Sequence, residues 1–261
     1  MSNSTPARTA ALFISDLHLQ ESHPQTAEAF FRFLADHAAH TRRLYLLGDI
    51  FEYWAGDDDL DTPLHTRVIA ALRQLADAGV ELFWMAGNRD FLVGGGFAEA
   101  AGLRLLEEPH VALIDGQRIA LVHGDAECTL DTNYMEFRAM VRDKAWQEQF
   151  LAMPLARRKA IIAGLREGSR EAHATKSYDT MDVTPGAIEA LFEATGAEVL
   201  IHGHTHRPAL HLHGGKRRYV LPDWEVDVQP EVESPRGGWI AVDDRGAITR
   251  HGLDGLPVQP G

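Results

Sequence analysis

An α/β fold with a second sheet and an inserted helical segment is the architecture this sequence predicts. Three observations lead there: apolar runs that stop abruptly at polar residues, amphipathic helical patterns between the first of them, and a long helical stretch inserted further on. The 261 residues, 45% hydrophobic and 24% charged, suffice for one large domain, or one domain carrying an insertion, with a sizeable core.

The runs Ala10 to Ser15, Leu44 to Leu47 and Val80 to Ala86 read as buried strands, ending at Asp16-Leu17-His18, Gly48-Asp49 and Gly87-Asn88-Arg89-Asp90. Between them, Thr26 to His40 and Leu64 to Ala78 carry helical periodicity, the second closing at Gly79, where a left-handed cap fits. Ile119 to Val122 and Val199 to Ile201 are two more strands, ending at His123-Gly124-Asp125 and His202-Gly203-His204-Thr205-His206. Asp16, Asp49, Asn88 and His123 follow one another at intervals of 33, 39 and 35 residues, about one βα unit each, whereas His204 comes 81 residues after His123. The excess is helical in pattern, with Pro154 at a helix start, and predicts a cap over residues 127–182 inserted in a core of 1–126 and 183–261. After His206 the hairpins Ala209 to Leu221 and Trp239 to Arg250 are expected to close a second sheet.

Composition excludes several functions. Net charge is −13, the wrong sign for coating a nucleic-acid backbone. Cys128 stands alone, so there is no internal disulfide, no redox pair and no cysteine zinc site, which points to a reducing compartment. MSNSTPARTA lacks the apolar stretch of a signal peptide, and no apolar run is long enough to span a bilayer; a cytoplasmic protein is expected.

Fourteen histidines are the unusual feature. Ligands of α/β sheets gather beyond the carboxyl ends of strands, where this chain places Asp16, His18, Asp49, Asn88, His123, His204 and His206. Carboxylate, amide oxygen and neutral imidazole are the donors that divalent cations take. A single strand-end His is ordinarily a surface or core residue, and Asp after Gly ordinarily a turn residue. Five such clusters in order argue instead for two cations about 3.5–4 Å apart, the clamp for in-line displacement at phosphorus, with Asp49 the candidate bridge. His202 has no such role, and a core or surface position is expected for it.

These motifs, in this order over residues 16–206, resemble those of the calcineurin-like metallophosphoesterases. The resemblance implies two facing β-sheets flanked by helices. It implies one metal on Asp16, His18, Asp49 and His206, another on Asp49, Asn88, His123 and His204, and attack by a metal-activated water. Many members carry His after the metal-binding Asn, as a proton donor to the leaving group; here it is Arg89. Arginine stays protonated but clamps phosphate oxygens, which suits a leaving group needing no proton, such as a phosphate released from a diphosphate.

LFISDLHL, LLGDIFEYWAGDD, GNRDFLVG, HGDAECTLD and IHGHTHRP are similar to the branch that hydrolyses UDP-2,3-diacylglucosamine in lipid A biosynthesis. That resemblance implies release of UMP and 2,3-diacylglucosamine 1-phosphate, with Asp49, Asn88 and Arg89 as catalytic residues and manganese as the metal. It implies substrate contacts at Asn88, Arg89, Asp131, Ser169, His173, Lys176 and His204, and a monomer working at the cytoplasmic face of the inner membrane. Residues 127–176 hold nine Lys or Arg against seven Asp or Glu, suited to an anionic surface, although Arg157-Arg158-Lys159 taken alone is an ordinary solvated run. Large apolar residues there, among them Phe137, Val141, Trp146, Phe150, Ile162 and Leu165, could lodge acyl chains or simply pack the cap. Two alternatives stand beside this reading: a diesterase of the same fold acting on another nucleotide or a phospholipid, and a scaffold without chemistry, which the full set of ligand types disfavours.

Overall fold

The computed structural model describes residues 8–173, 181–229 and 233–258, with the backbone alone for residues 167–173. Strands β1 (Thr9–Ile14), β2 (Arg43–Leu47), β3 (Glu81–Met85) and β4 (Arg104–Leu106) alternate with helices α1 (Pro24–Asp36), α2 (Pro63–Asp77) and α3 (Gly95–Ala101). Neighbouring strands of this series pair in parallel. Thr62 starts α2 by accepting the His65 N–H, and Gly79 ends it at φ +96°, with the Val80 N–H returning to Leu75 O.

Side-chain parity decides which face of this sheet meets what. Leu12, Ile14, Leu44, Leu46, Leu82 and Trp84 point to the helices, where they pack with Phe30, Phe33, Val68, Leu72 and Phe97. Ala11, Phe13, Tyr45, Leu47, Phe83 and Met85 point the other way, into a second core shared with Ile114, Ile119, Leu121, Val199, Ile201 and Tyr219. Phe13, Tyr45 and Phe83, in direct register across β1, β2 and β3, stack with centroids 4.9 and 4.7 Å apart.

The second sheet consists of β5 (His110–Ile114), β6 (Gln117–Leu121), β7 (Val199–His202), β8 (Leu210–His213) and β9 (Lys216–Val220), in the order β5-β6-β7-β9-β8. Its outer face is covered by α7 (Pro185–Thr195) through Ile188, Leu191 and Phe192. The layers are therefore helices, sheet, sheet, helix, as two facing sheets flanked by helices require.

One expectation needs correction. The hairpin of β10 (Gly238–Asp243) and β11 (Ile248–Gly252) does not close the second sheet; β10 pairs antiparallel with β1 and extends the first sheet to six strands. Its inward Ile240 and Val242 fill the space between the sheets beside Phe13, which is the burial that recruits it there.

Between β6 and α7 run α4 (Thr132–Arg142), α5 (Lys144–Leu151) and α6 (Leu155–His173). Here a second expectation fails: the Arg157-Arg158-Lys159 run is only partly solvated. Arg158 is buried, donating to Met153 O, Ala55 O and Asp58, and Lys159 pairs with Asp59 at 2.6 Å. Each cation offsets the desolvation of its site by meeting a carboxylate or carbonyls of the loop after β2. No described helix is long and apolar enough to cross a membrane.

Candidate metal centre and adjoining cavity

The ends of β1, β2 and β3 from one sheet, and of β6 and β7 from the other, open on the same side. Backbone bonds knit them: Asp16 N–H to Gly48 O, His18 N–H to Asp49 O, and Gly203 N–H to His123 O. Of the six non-glycine residues with positive φ among those described, five are Asp16, His18, Asp49, His204 and His206, between +50° and +64°. Left-handed backbone turns a strand end into a curl, so residues two apart present side chains to one side. It costs on the order of 1–3 kcal/mol per residue, a strain typical of functional sites. Gly203 and Gly87 permit close approach, since a Cβ at Gly203 would collide with Ser15 and the Asp16 carboxylate, and one at Gly87 with the Asp49 carboxylate.

Two groups of ligand atoms result. In the first, His18 Nε2 and His206 Nε2 face each other at 3.4 Å, and Asp16 Oδ1 lies 3.5 Å from His206 Nε2. Asp16 Oδ2 accepts from Ser15 Oγ at 2.5 Å and His204 N–H at 2.9 Å, whereas Oδ1 is buried without a hydrogen-bond partner. The second group joins Asp49, His123 and His204. His123 Nδ1–H donates to Leu47 O at 2.9 Å, leaving Nε2 bare, 3.0 Å from Asn88 Oδ1 and 3.7 Å from Asp49 Oδ2. His204 Nδ1 stands 2.9 Å from the same Asn88 oxygen.

Converging ring nitrogens, an amide oxygen and an orphaned buried carboxylate oxygen form donor sets that a divalent cation would satisfy. Electrostatics agree. Burial opposes charge on His123, yet Asp49, Asp16, Asp125 and Glu108 around it raise its pKa to about 9. A field that holds a proton there attracts a divalent ion as well. Burial and His123 press His204 down to about 3, and the Asp16 carboxyl, despite burial, is held well below its usual range by His206, His123 and His18. All seven expected ligand residues are thus brought together.

The calcineurin-like phosphoesterase profile matches residues 10–208. This chain belongs to that family. Among curated relatives, the phosphoesterase is 52% identical over 222 residues to "UDP-2,3-diacylglucosamine hydrolase" of Aromatoleum aromaticum, covering 84% of this chain and 90% of that one. It is 44% identical over 256 residues to the protein of the same name from Ralstonia nicotianae, covering 94% of each. Among solved structures, Vacuolar Protein Sorting 29 from Cryptosporidium parvum aligns over 97% of this chain and 96% of that one, with TM-score 0.49 and 14% identity.

A cavity of about 380 Å³, within the range of ligand pockets, adjoins the ligand groups. Asn88 and Arg89 line it together with Tyr53 and Trp54, and α4, α5 and α6 supply Phe137, Val141, Trp146, Phe150, Ile162 and Leu165. Arg89 is half-buried, and its Nε has no hydrogen-bond partner. Asp131 caps α4 by accepting the Tyr134 N–H. The side chains of Ser169 and His173, and the whole of Lys176, lie outside the described residues. His202 is a core residue, bonded to Gly203 O and Arg218.

Several residues of the phosphoesterase's site carry no signal of their role in the sequence motifs. Glu52 Oε2 lies 3.0 Å from His18 Nδ1, and Asp223 lies 3.6 Å from His206 Nδ1. Burial favours a neutral Glu52, yet His18, Arg89 and Arg166 hold its carboxyl down at about 2. Glu108 accepts the His123 N–H at 2.6 Å and Arg138 at 2.9 Å; Arg138 also binds Asp125, which accepts from Tyr134. The one available hint is a charged residue embedded in an apolar run, as Glu52 is in IFEYW.

Proposed function

We propose that this chain, a metal-dependent hydrolase, cleaves the diphosphate of UDP-2,3-diacylglucosamine to UMP and 2,3-diacylglucosamine 1-phosphate. The observation that carries the reading is that Asn88 and Arg89, beside the ligand cluster, line the same cavity as Phe137, Trp146, Phe150 and Ile162. Chemistry at phosphorus and an apolar chamber share one space, as a nucleotide carrying acyl chains demands. The relatives' printed name supports the same substrate.

Two divalent cations, one on Asp16, His18, Asp49 and His206 and one on Asp49, Asn88, His123 and His204, would supply Lewis acidity that activates water and offsets phosphoryl charge. Asp49 would belong to both ligand sets. Arg89 clamps the phosphoryl oxygens and Asn88 orients the phosphate. Asp131, Ser169, His173, Lys176 and His204 serve as the remaining substrate contacts. The water oxygen bonds to the α-phosphorus as the bond to the sugar phosphate breaks; that phosphate leaves with the electron pair and needs no proton, and the proton that the water gives up passes to solvent.

Residues 127–182 act as the cap that houses the acyl chains. Imidazole, carboxylate and amide donors suit manganese. The exposed Met140, Leu151 and Leu165, on helices that also carry exposed Lys144 and Arg157, suit a monomer resting on the cytoplasmic face of the inner membrane. The test is UMP release in detergent, with manganese or chelator, from the diacylated substrate and from UDP-glucosamine. Manganese-dependent release from the acylated compound alone is expected; equal turnover of both would remove the lipid from the assignment.

A further inference from the structure

Glu52 and Arg166 line the cavity and touch each other. Arg166 donates its Nε–H and an Nη2–H to Glu52 Oε1 at 3.1 and 2.7 Å, and another Nη2–H to Gln20 Oε1 at 3.3 Å. Its guanidinium lies 5.4 Å from the centre of the Tyr53 ring. The second oxygen of Glu52 lies 3.0 Å from His18 Nδ1, a close charge contact outside hydrogen-bond geometry, and the far nitrogen of that imidazole faces His206. Glu52 thus stands between α6 and one of the two ligand groups, with side-chain exposures of 12% for Glu52 and 20% for Arg166 keeping water from competing freely.

An imidazole that offers a bare Nε2 must carry its proton on Nδ1. A carboxylate beside Nδ1 favours a proton there through its charge and raises the basicity of the other nitrogen. A lone carboxylate on a loop could rotate away. Arg166 removes that freedom by taking Oε1 with two donors, a fork that lysine cannot reproduce.

We propose that Glu52 is a positioning residue that joins α6 to His18, so that the seating of α6 over the cavity sets the aim of His18 at its cation. This rests on the metal-centre reading. It also gives the helices between β6 and α7 a second role, because whatever fills the cavity against Arg166 is sensed at His18 through one carboxylate.

The test uses the whole chain, stripped of metal and titrated calorimetrically with manganese alone, so that substrate contacts play no part. Wild type, Glu52→Gln, Arg166→Met and the double variant are compared. Glu52→Gln should weaken one of two manganese sites by about 10–100-fold, the usual range for losing such a partner, and leave the other unchanged. Arg166→Met should weaken the same site by a smaller factor, Arg166→Lys should recover part of it, and the double variant should match Glu52→Gln alone. A purely structural role would instead lower the melting temperature of the metal-free protein without moving the affinity. Two manganese ions bound with unchanged affinity in folded Glu52→Gln, or strictly additive losses in the double variant, would overturn the link while leaving the centre in place. Wild type that takes up no divalent ion would remove the centre itself, and the link with it. Should Glu52→Gln fail to fold, the contrast between Arg166→Met and Arg166→Lys still decides.

Discussion

The carboxylate of Asp90 reaches from the end of β3 to the backbone of Asp49 at the end of β2. One oxygen accepts the N–H groups of Asp49 and Gly87 at 3.2 and 2.8 Å, the other those of Ile50 and Phe51 at 2.9 and 3.3 Å. Asp90 is fully buried, and burial together with the Asp49 charge raises its pKa to about 6. It holds in place the loop that presents Asp49. Asp90→Ala leaves four buried donors bare, and is expected to cost roughly 3 kcal/mol in denaturant unfolding. Asp90→Asn should cost less, because one acceptor oxygen survives.

Asp49 and Arg89 divide the proposed chemistry. Asp49→Ala should abolish both turnover and uptake of two metal ions, since both ligand sets depend on it. Arg89→Ala should keep full metal content, read by elemental analysis, while kcat falls about 10²–10³-fold, the scale for losing one donor to a developing phosphoryl charge. A metal-depleted Arg89→Ala protein would contradict that division.

Glu127 makes stability depend on pH in a direction opposite to most carboxylates. Burial, then Glu108 and Asp125, push its pKa from 4.5 up to about 7. A carboxyl raised by folding contributes stability fully below its unfolded pKa and loses it as pH climbs from about 4.5 through 7. Glu127→Gln should therefore gain on wild type between pH 5 and pH 8, by on the order of 2 kcal/mol. Unfolding at both values measures it; parallel curves for the two proteins would rule the effect out.

Gly164 lies in the interior of α6, and a Cβ placed there meets nothing within 4 Å. Gly164→Ala should stabilise the protein by about 0.5–1 kcal/mol, through the entropy that glycine forfeits in a helix. A raised melting temperature is the readout.

The strand ends were legible because each joins an apolar run to a ligand-type residue, and periodicity finds the run without help from the rest of the chain. Gly79 and Pro154 likewise mark ends through local backbone demands. What sequence concealed was partnership. Nothing in GWIAVD says that its neighbour is β1 and not the second sheet, because a hairpin pattern carries no address. Arg158 sits in a charge triplet that looks solvated, and only the fold brings Ala55 O and Asp58 to it across 100 or more positions. Glu52 was hidden for the same reason: its meaning is His18 on one side and Arg166 on the other.

The ladder of Phe13, Tyr45 and Phe83 acts as a spacer between the halves of the reaction centre. Asp16, His18, Asp49 and Asn88 ride on one sheet and His123, His204 and His206 on the other, so the packing between the sheets governs how the proposed ligand residues meet. Leu47, two residues beyond Tyr45, bridges the gap directly by accepting from His123. Trimming Tyr45, four residues before Asp49, to Ala should therefore detune catalysis as well as stability, with kcat depressed at temperatures where the variant is still folded.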